Sequence, residues 1–166
     1  MDMYRYDSIS NHGSKSLLTV ACVLEVGLDR APYVPFHVAR LRDQVKKNLT
    51  LPHKFVCLSN LDMSGICEWQ LITGERPGFW VKIDLFDPAR FTGRVFYLDL
   101  DTTVIGSLDD IAKFPTPFAI IENFKEVKEP NKARFNSSVM SWDAGAADHI
   151  YKNFTSDVIQ RLNGDQ

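Results

Sequence analysis

Two carboxylates, Asp99 and Asp101, stand one residue apart directly after the apolar run Val95–Leu98, and Thr102 and Thr103 follow them. In an extended segment, residues two apart point to the same face. That geometry puts the two acids about 6.6 Å apart along the chain. Their repulsion at this separation is about 2.5 kcal/mol at an effective dielectric of 20, but only about 0.6 kcal/mol in water. A partly enclosed pair therefore favours a bound cation. Carboxylate oxygens suit the hard divalent ions Mg²⁺ and Mn²⁺, which commonly share their coordination with phosphates. Read alone, the same spacing also suits two loop acids, one near a helix start and one in water.

The elements around the acids decide between these readings. Arg94–Leu98 is a short buried strand, and an open α/β sheet places ligands at the carboxyl ends of such strands. After the acids, Val104, Ile105 and Gly106 lead to Ser107, where Ser-x-x-Asp (Ser107 to Asp110) is a variant capping box that predicts a short helix. Upstream, Leu17–Leu24 is a continuous apolar run of β-forming residues, the pattern of a strand covered on both faces. Pro32 and Pro35 suit a helix start. Val34, Val38, Leu41, Val45 and Leu49 then draw one apolar stripe, which leaves Arg40, Arg42, Asp43, Lys46 and Lys47 to solvent.

Lys54–Ser59 and Trp69–Thr73 read as further strands, and Phe79–Phe86 as a short helix stopped by Pro88. Phe118–Ile121 and Ser137–Trp142 read as strands, Phe124–Arg134 as a charged loop that could cover a ligand, and Ala144–Phe154 as a helix. Thr155 or Ser156 can cap a final helix that closes at Asn163–Gly164. Strands alternating with helices predict an α/β fold with a mainly parallel, Rossmann-like sheet. Residues 1–16 read as a polar tail or lead-in, and residues 17–166 as the folded domain.

The bulk properties narrow the function classes. The 166 residues are one domain's worth, with 45% hydrophobic and 24% charged residues. A net charge of −2 without a basic block gives no nucleic-acid footprint. No apolar run approaches the length of a membrane span, and the amino-terminal residues lack a basic-then-apolar leader. The expected location is cytoplasmic. Cys22, Cys57 and Cys67 lack C-x-x-C spacing and read as buried reduced thiols.

Four stretches, taken in order, resemble nucleotide-sugar glycosyltransferases of the GT-A fold, in particular glycosyltransferase family 8. They are PGFWVKIDLF (Pro77–Phe86), VFYLDLDTT (Val95–Thr103), FNSSVMSWDAG (Phe135–Gly145) and GDQ (Gly164–Gln166). The resemblance implies a transferase using a UDP-sugar donor and Mn²⁺ or Mg²⁺, with retention of anomeric configuration. It implies that Asp99 and Asp101 hold the metal, with Asp99 also near the ribose, and that Lys82 meets donor phosphate or sugar hydroxyls. Asn136 and Ser137 would line the donor-sugar pocket, Asp165 and Gln166 would face the transferred sugar, and Leu24, Glu25 and Tyr33 would form the nucleoside pocket.

Two departures from the family are visible. Ser138 stands where glycine is usual, and the family continues past the equivalent of Gln166 to a late histidine and a lysine. The resemblance thus implies the amino-terminal part of a transferase, or a shortened relative. Two other readings stay open. Asp99, Asp101 and Thr103 also match the D-x-D-x-T of haloacid-dehalogenase-type phosphohydrolases, with Asp99 as nucleophile and Asp101 as acid. A non-catalytic nucleotide-sugar binding module fits as well. The acceptor, the donor sugar and the oligomeric state are not encoded in these patterns.

Overall fold

The structure is a computed structural model that describes residues 18–27, 33–72, 76, 78–123 and 135–161. Six strands form one sheet: β1 (Leu18–Leu24), β2 (His53–Ser59), β3 (Glu68–Leu71), β4 (Arg94–Leu98), β5 (Phe118–Glu122) and β6 (Phe135–Asp143). Their order is β3-β2-β1-β4-β6-β5. The β1–β2, β1–β4 and β2–β3 pairs are parallel, whereas β6 runs antiparallel to both β4 and β5. The architecture is therefore the expected α/β type with a mixed sheet.

Alternation along the strands sorts the core into two layers. Val20, Cys22 and Leu24 of β1, with Phe96 and Leu98 of β4, pack under helix α1 (Pro35–Asn48). Ala21 of β1, with Val95 and Tyr97 of β4, faces the opposite layer, built on a 3₁₀ segment, Gly78–Phe86, and on Ala147 beside helix α3 (Asp148–Asn153). Pro35 begins α1 as its residue type predicts. Val38, Leu41, Val45 and Leu49 of the expected stripe are buried, but Val34 is 47% exposed because it stands at the cap, ahead of the first turn.

Several boundaries differ from the expectations. Phe79–Phe86 is a 3₁₀ helix that begins one residue earlier, at Gly78. The long helix read over Ala144–Phe154 is shortened to α3, with a turn before it. A final short helix, α4 (Ser156–Arg161), follows Thr155, whose carbonyl accepts the Val158 amide at 3.0 Å. The capping box at Ser107 does not form. Helix α2 is only Asp109–Ala112, and Ser107 Oγ accepts the Asp109 amide at 3.2 Å. Asp109 turns away to Thr50, accepting its amide at 2.8 Å and its hydroxyl at 2.5 Å. Those two bonds hold the Asp109 carboxyl below its ordinary range.

Cys22 and Cys57 lie opposite each other in the β1–β2 register and are buried; Cys67 is half-buried, and all three are free thiols. Among the described residues no helix is long and apolar enough to cross a membrane. The expected tail 1–16, the loop Phe124–Arg134 and the helix end at Asn163–Gly164 lie outside the described residues.

Candidate active site at the carboxyl ends of β1 and β4

Between β1 and β4 the strand order reverses, with β2 on one side and β4 on the other. Crevices outside the carboxyl ends of parallel strands at such a point are where open α/β sheets bind ligands. Both candidate acids leave β4 there. They do not continue as an extended strand: the Thr102 amide donates to the Asp99 carbonyl at 3.1 Å and closes a turn. The expected common face for Asp99 and Asp101 is therefore replaced by a split. Asp99 is engaged from the 3₁₀ layer and Asp101 from the α1 layer, with Leu100 buried between them.

On the first side, Lys82 Nζ lies 3.0 Å from Asp99 Oδ1 and 3.1 Å from Oδ2. The Tyr97 hydroxyl donates to Asp99 Oδ1. Lys82 also donates to Ser137 Oγ at 3.1 Å, and its ammonium sits 5.8 Å from the centre of the Tyr97 ring. Burial pushes the Asp99 carboxyl up from its ordinary value, against the pull of Lys82 and the Tyr97 hydroxyl, and the Asp101 charge pushes it further the same way. Asp99 is thus a half-enclosed acid steadied by one ammonium and one phenol.

On the second side, Asp101 is exposed and accepts the Tyr33 hydroxyl at 3.2 Å. Burial and the Asp101 charge raise the Tyr33 phenol above its ordinary value. Tyr33 packs edge-on against His37, with ring centres 5.3 Å apart. Arg40, one turn further along α1, sends Nη2 to the Leu100 carbonyl at 2.9 Å. Arg40 was expected in solvent; the fold instead uses it to pin the peptide between the two acids.

β6 supplies the third wall because its antiparallel course brings its beginning to the end of β4. The Asp99 amide donates to the Ser138 carbonyl at 2.9 Å. Ser137 is buried and reaches Lys82. Asn136 Oδ1 accepts both the Ser138 amide at 2.8 Å and the Ser138 hydroxyl at 2.5 Å, which orients its carboxamide. The serine in the glycine position is therefore tied to Asn136.

The predicted nucleoside residues separate. Leu24 is a core side chain, 1% exposed, and only its backbone reaches the strand end. Glu25 Oε2 accepts the Gly78 amide at 3.1 Å, so it secures the start of the 3₁₀ segment. Gly78 has φ 65°, a conformation that favours glycine, at the point where its amide must face Glu25. Burial raises the Glu25 carboxyl, and Asp84 adds to that rise. Asp165 and Gln166 lie outside the described residues.

The structure thus joins Lys82, Asp99 and Ser137 into one cluster, with Tyr33 and Asp101 beside it. Sequence reasoning missed Tyr97 and Arg40. Tyr97 carried a signal, since it precedes Asp99 by two residues on one strand. Arg40 carried none beyond its place on α1. Among the described residues no three His, Cys, Asp or Glu side chains gather as a metal cage. Asp99 and Asp101 are the carboxylates at this strand end that could serve a hard cation, a Mg²⁺-type ion drawing most of its ligands from substrate phosphate and water. A groove of about 490 Å³ lies elsewhere, at the amino end of β4 between Arg94, Phe114 and Pro115. Arg94 already spends its donors there on Thr116 O, Phe114 O and Ser141 Oγ, so the acids mark the better site.

No protein-family model matches the chain, and no curated protein sequence matches it. Among solved structures, the chain is similar to CMP:2-keto-3-deoxy-manno-octonic acid synthetase complexed with CTP. The TM-score is 0.59 at 9% identity, covering 88% of this chain and 82% of the other. It is also similar to the galactosyltransferase LgtC in complex with donor and acceptor sugar analogues, with a TM-score of 0.54 at 12% identity, covering 86% of this chain. The chain spans 64% of LgtC's length. These likenesses show the fold, an α/β architecture of the GT-A type.

Proposed function

We propose that this site transfers a sugar from a nucleotide-sugar donor, a UDP-sugar, to an acceptor hydroxyl with the help of Mn²⁺ or Mg²⁺. The observation that carries the reading is the position of Lys82 Nζ, held between Asp99 and Ser137 at the carboxyl end of β4. A positive charge there, with an exposed carboxylate and a tyrosine alongside, suits a diphosphate and its nucleoside. The fold of LgtC, whose structure holds donor and acceptor sugar analogues, supports the choice of chemistry.

In this reading Asp99 and Asp101 hold the cation, which, when bound, supplies positive charge that stabilises a departing diphosphate. Lys82 adds a second charge to the leaving group. Tyr33 offers its ring to the base, Ser137 and the oriented Asn136 meet the donor sugar, and Arg40 keeps the two carboxylates at a fixed relation. By resemblance, Asp165 and Gln166 face the transferred sugar, and the outcome is retention. The phosphohydrolase reading asks Asp99 to attack phosphorus. That carboxylate is instead embraced by Lys82 and the Tyr97 hydroxyl, an arrangement that favours a fixed ligand over a nucleophile.

The deciding experiment is calorimetric titration of the chain with UDP, with and without Mn²⁺, and with CTP as a comparison. Manganese-dependent UDP binding without release of phosphate from p-nitrophenyl phosphate is the expected result. UDP binding indifferent to Mn²⁺ would remove the metal role, and phosphate release with a phospho-aspartate at Asp99 would replace the reading with the hydrolase.

A further inference from the structure

We propose that Lys82 is a built-in counter-cation for Asp99, so that a divalent ion enters the site only together with a nucleoside diphosphate. The inference rests on the transferase reading and adds an order of binding to it. Lys82 approaches both oxygens of Asp99, at 3.0 and 3.1 Å, and Tyr97 donates to one of the same oxygens. A Mg²⁺-type ion needs carboxylate lone pairs at about 2.0–2.1 Å. An ammonium set against both oxygens, with the Tyr97 hydroxyl on Oδ1, takes up part of their lone-pair space and repels the ion's charge.

The lysine also has somewhere else to go. Its side chain, 16% exposed, carries a flexible four-carbon stem, and Ser137 Oγ holds the ammonium from a second direction at 3.1 Å. A diphosphate arriving in front of the cluster offers several oxygens of greater charge than one carboxylate. Lys82 then passes from Asp99 to phosphate, and the vacated carboxylate oxygens take the cation that the same phosphate brings. Asp101, exposed and bonded only to the Tyr33 hydroxyl in the contacts described, serves as the landing point. The apparent affinity for metal alone is the intrinsic affinity multiplied by the small fraction of molecules in which Lys82 has left Asp99. Nucleotide removes that reduction.

The test measures Mn²⁺ binding by electron paramagnetic resonance, alone and with UDP, in the wild-type chain and in Lys82→Met and Lys82→Arg. The expected result for Lys82→Met is a change of opposite sign in the two assays: at least about tenfold tighter binding of Mn²⁺ alone, and about tenfold weaker binding of Mn²⁺ with UDP. Lys82→Arg keeps the charge and should keep the weak binding of metal alone, which separates occupancy of Asp99 from a general loosening of the fold. Equal Mn²⁺ affinity in wild type and Lys82→Met, with UDP binding in the wild type still manganese-dependent, would overturn the counter-cation and leave the transferase site standing. A wild-type chain that takes up no UDP with Mn²⁺ would overturn both.

Discussion

Lys82 and Asp84 leave the same 3₁₀ segment two residues apart and meet two different electrostatic settings. Asp84 is 1% exposed and clamped by arginines: Arg76 Nη1 at 2.5 Å and Arg90 Nη2 at 3.8 Å. Arg76 in turn lies 4.6 Å over the ring of Tyr151 on α3 and 5.7 Å over that of Phe154, which stacks near Trp80. Lys82 meets a carboxylate that is 22% exposed, with a second, exposed acid close by. Asp84 is thus a buried acid set against two mostly buried arginines. The Lys82–Asp99–Asp101 group carries an exposed acid at its rim that a ligand can reach. The difference teaches where to look: a buried ion cluster braces the fold, and one with an exposed acid at its rim is the better candidate to receive a ligand.

Variants can break this contrast at either end. The largest effect is expected from Asp84→Ala, which strands two mostly buried arginines; a loss of about 3–5 kcal/mol in urea denaturation is expected. A loss below about 1 kcal/mol would mean that the arginines find water and that the buried cluster is not a brace. Asp101→Asn should do the reverse. Its unfolding free energy should stay within about 0.5 kcal/mol of the parent, while Mn²⁺-dependent UDP affinity falls by about a hundredfold or more, about 2.7 kcal/mol. An unchanged metal requirement would take Asp101 out of the site.

Arg40→Met sharpens the middle ground, because Arg40 touches backbone between the acids and no carboxylate. Loss of its charged hydrogen bond to Leu100 should cost about 1.5 kcal/mol of stability and weaken Mn²⁺–UDP binding several-fold, with Asp101 intact. Smallest of all is Asp109→Asn at the exposed Thr50 contact. The Asp109 carboxyl is held below its ordinary value of 3.8, so the stability it gives is present above that pH and is lost as the pH falls through its folded value. The gap between the melting temperatures of the two proteins should therefore narrow as the pH drops from about 4 toward 2. A gap that widens in acid would show that the Thr50 bonds do not depend on the ionised carboxylate.

Much of this architecture was legible because burial writes itself into composition. The run Leu17–Leu24 and the stretch Arg94–Leu98 are mainly apolar, and Leu18–Leu24 and Arg94–Leu98 are strands covered by layers on both sides. The stripe on α1 was legible for the same reason, except at Val34, where the helix had not yet begun. Strand direction was not legible: nothing in FNSSVMSW distinguishes a parallel strand from the antiparallel β6. The distinction matters, because only the antiparallel course brings Asn136–Ser138 to Asp99. The acids themselves stood out by type and spacing. Their division between two layers did not, since it depends on a turn closed by a backbone hydrogen bond. The bond from Gly78 to Glu25 was not legible either, because a carboxylate at a strand end serves a ligand or a backbone amide equally well.

The irregularity between Ile120 and Ile121 in the β5–β6 pairing has a consequence for how the site tolerates change. β6 pairs with β4 without interruption from Asp143 to Val139, and the Ser138–Asp99 bond extends that register by one step. A slip of one residue would turn Ser137 away from Lys82 and present a neighbour in its place. The mismatch lies in β6 itself: β5 steps from Ile120 to Ile121 while its partner steps from Met140 to Asn136, which leaves Ser137, Ser138 and Val139 as the extra residues. The bulge thus sets where Ser137 meets Lys82, and a single deletion within Ser137–Val139 would be passed directly to the site.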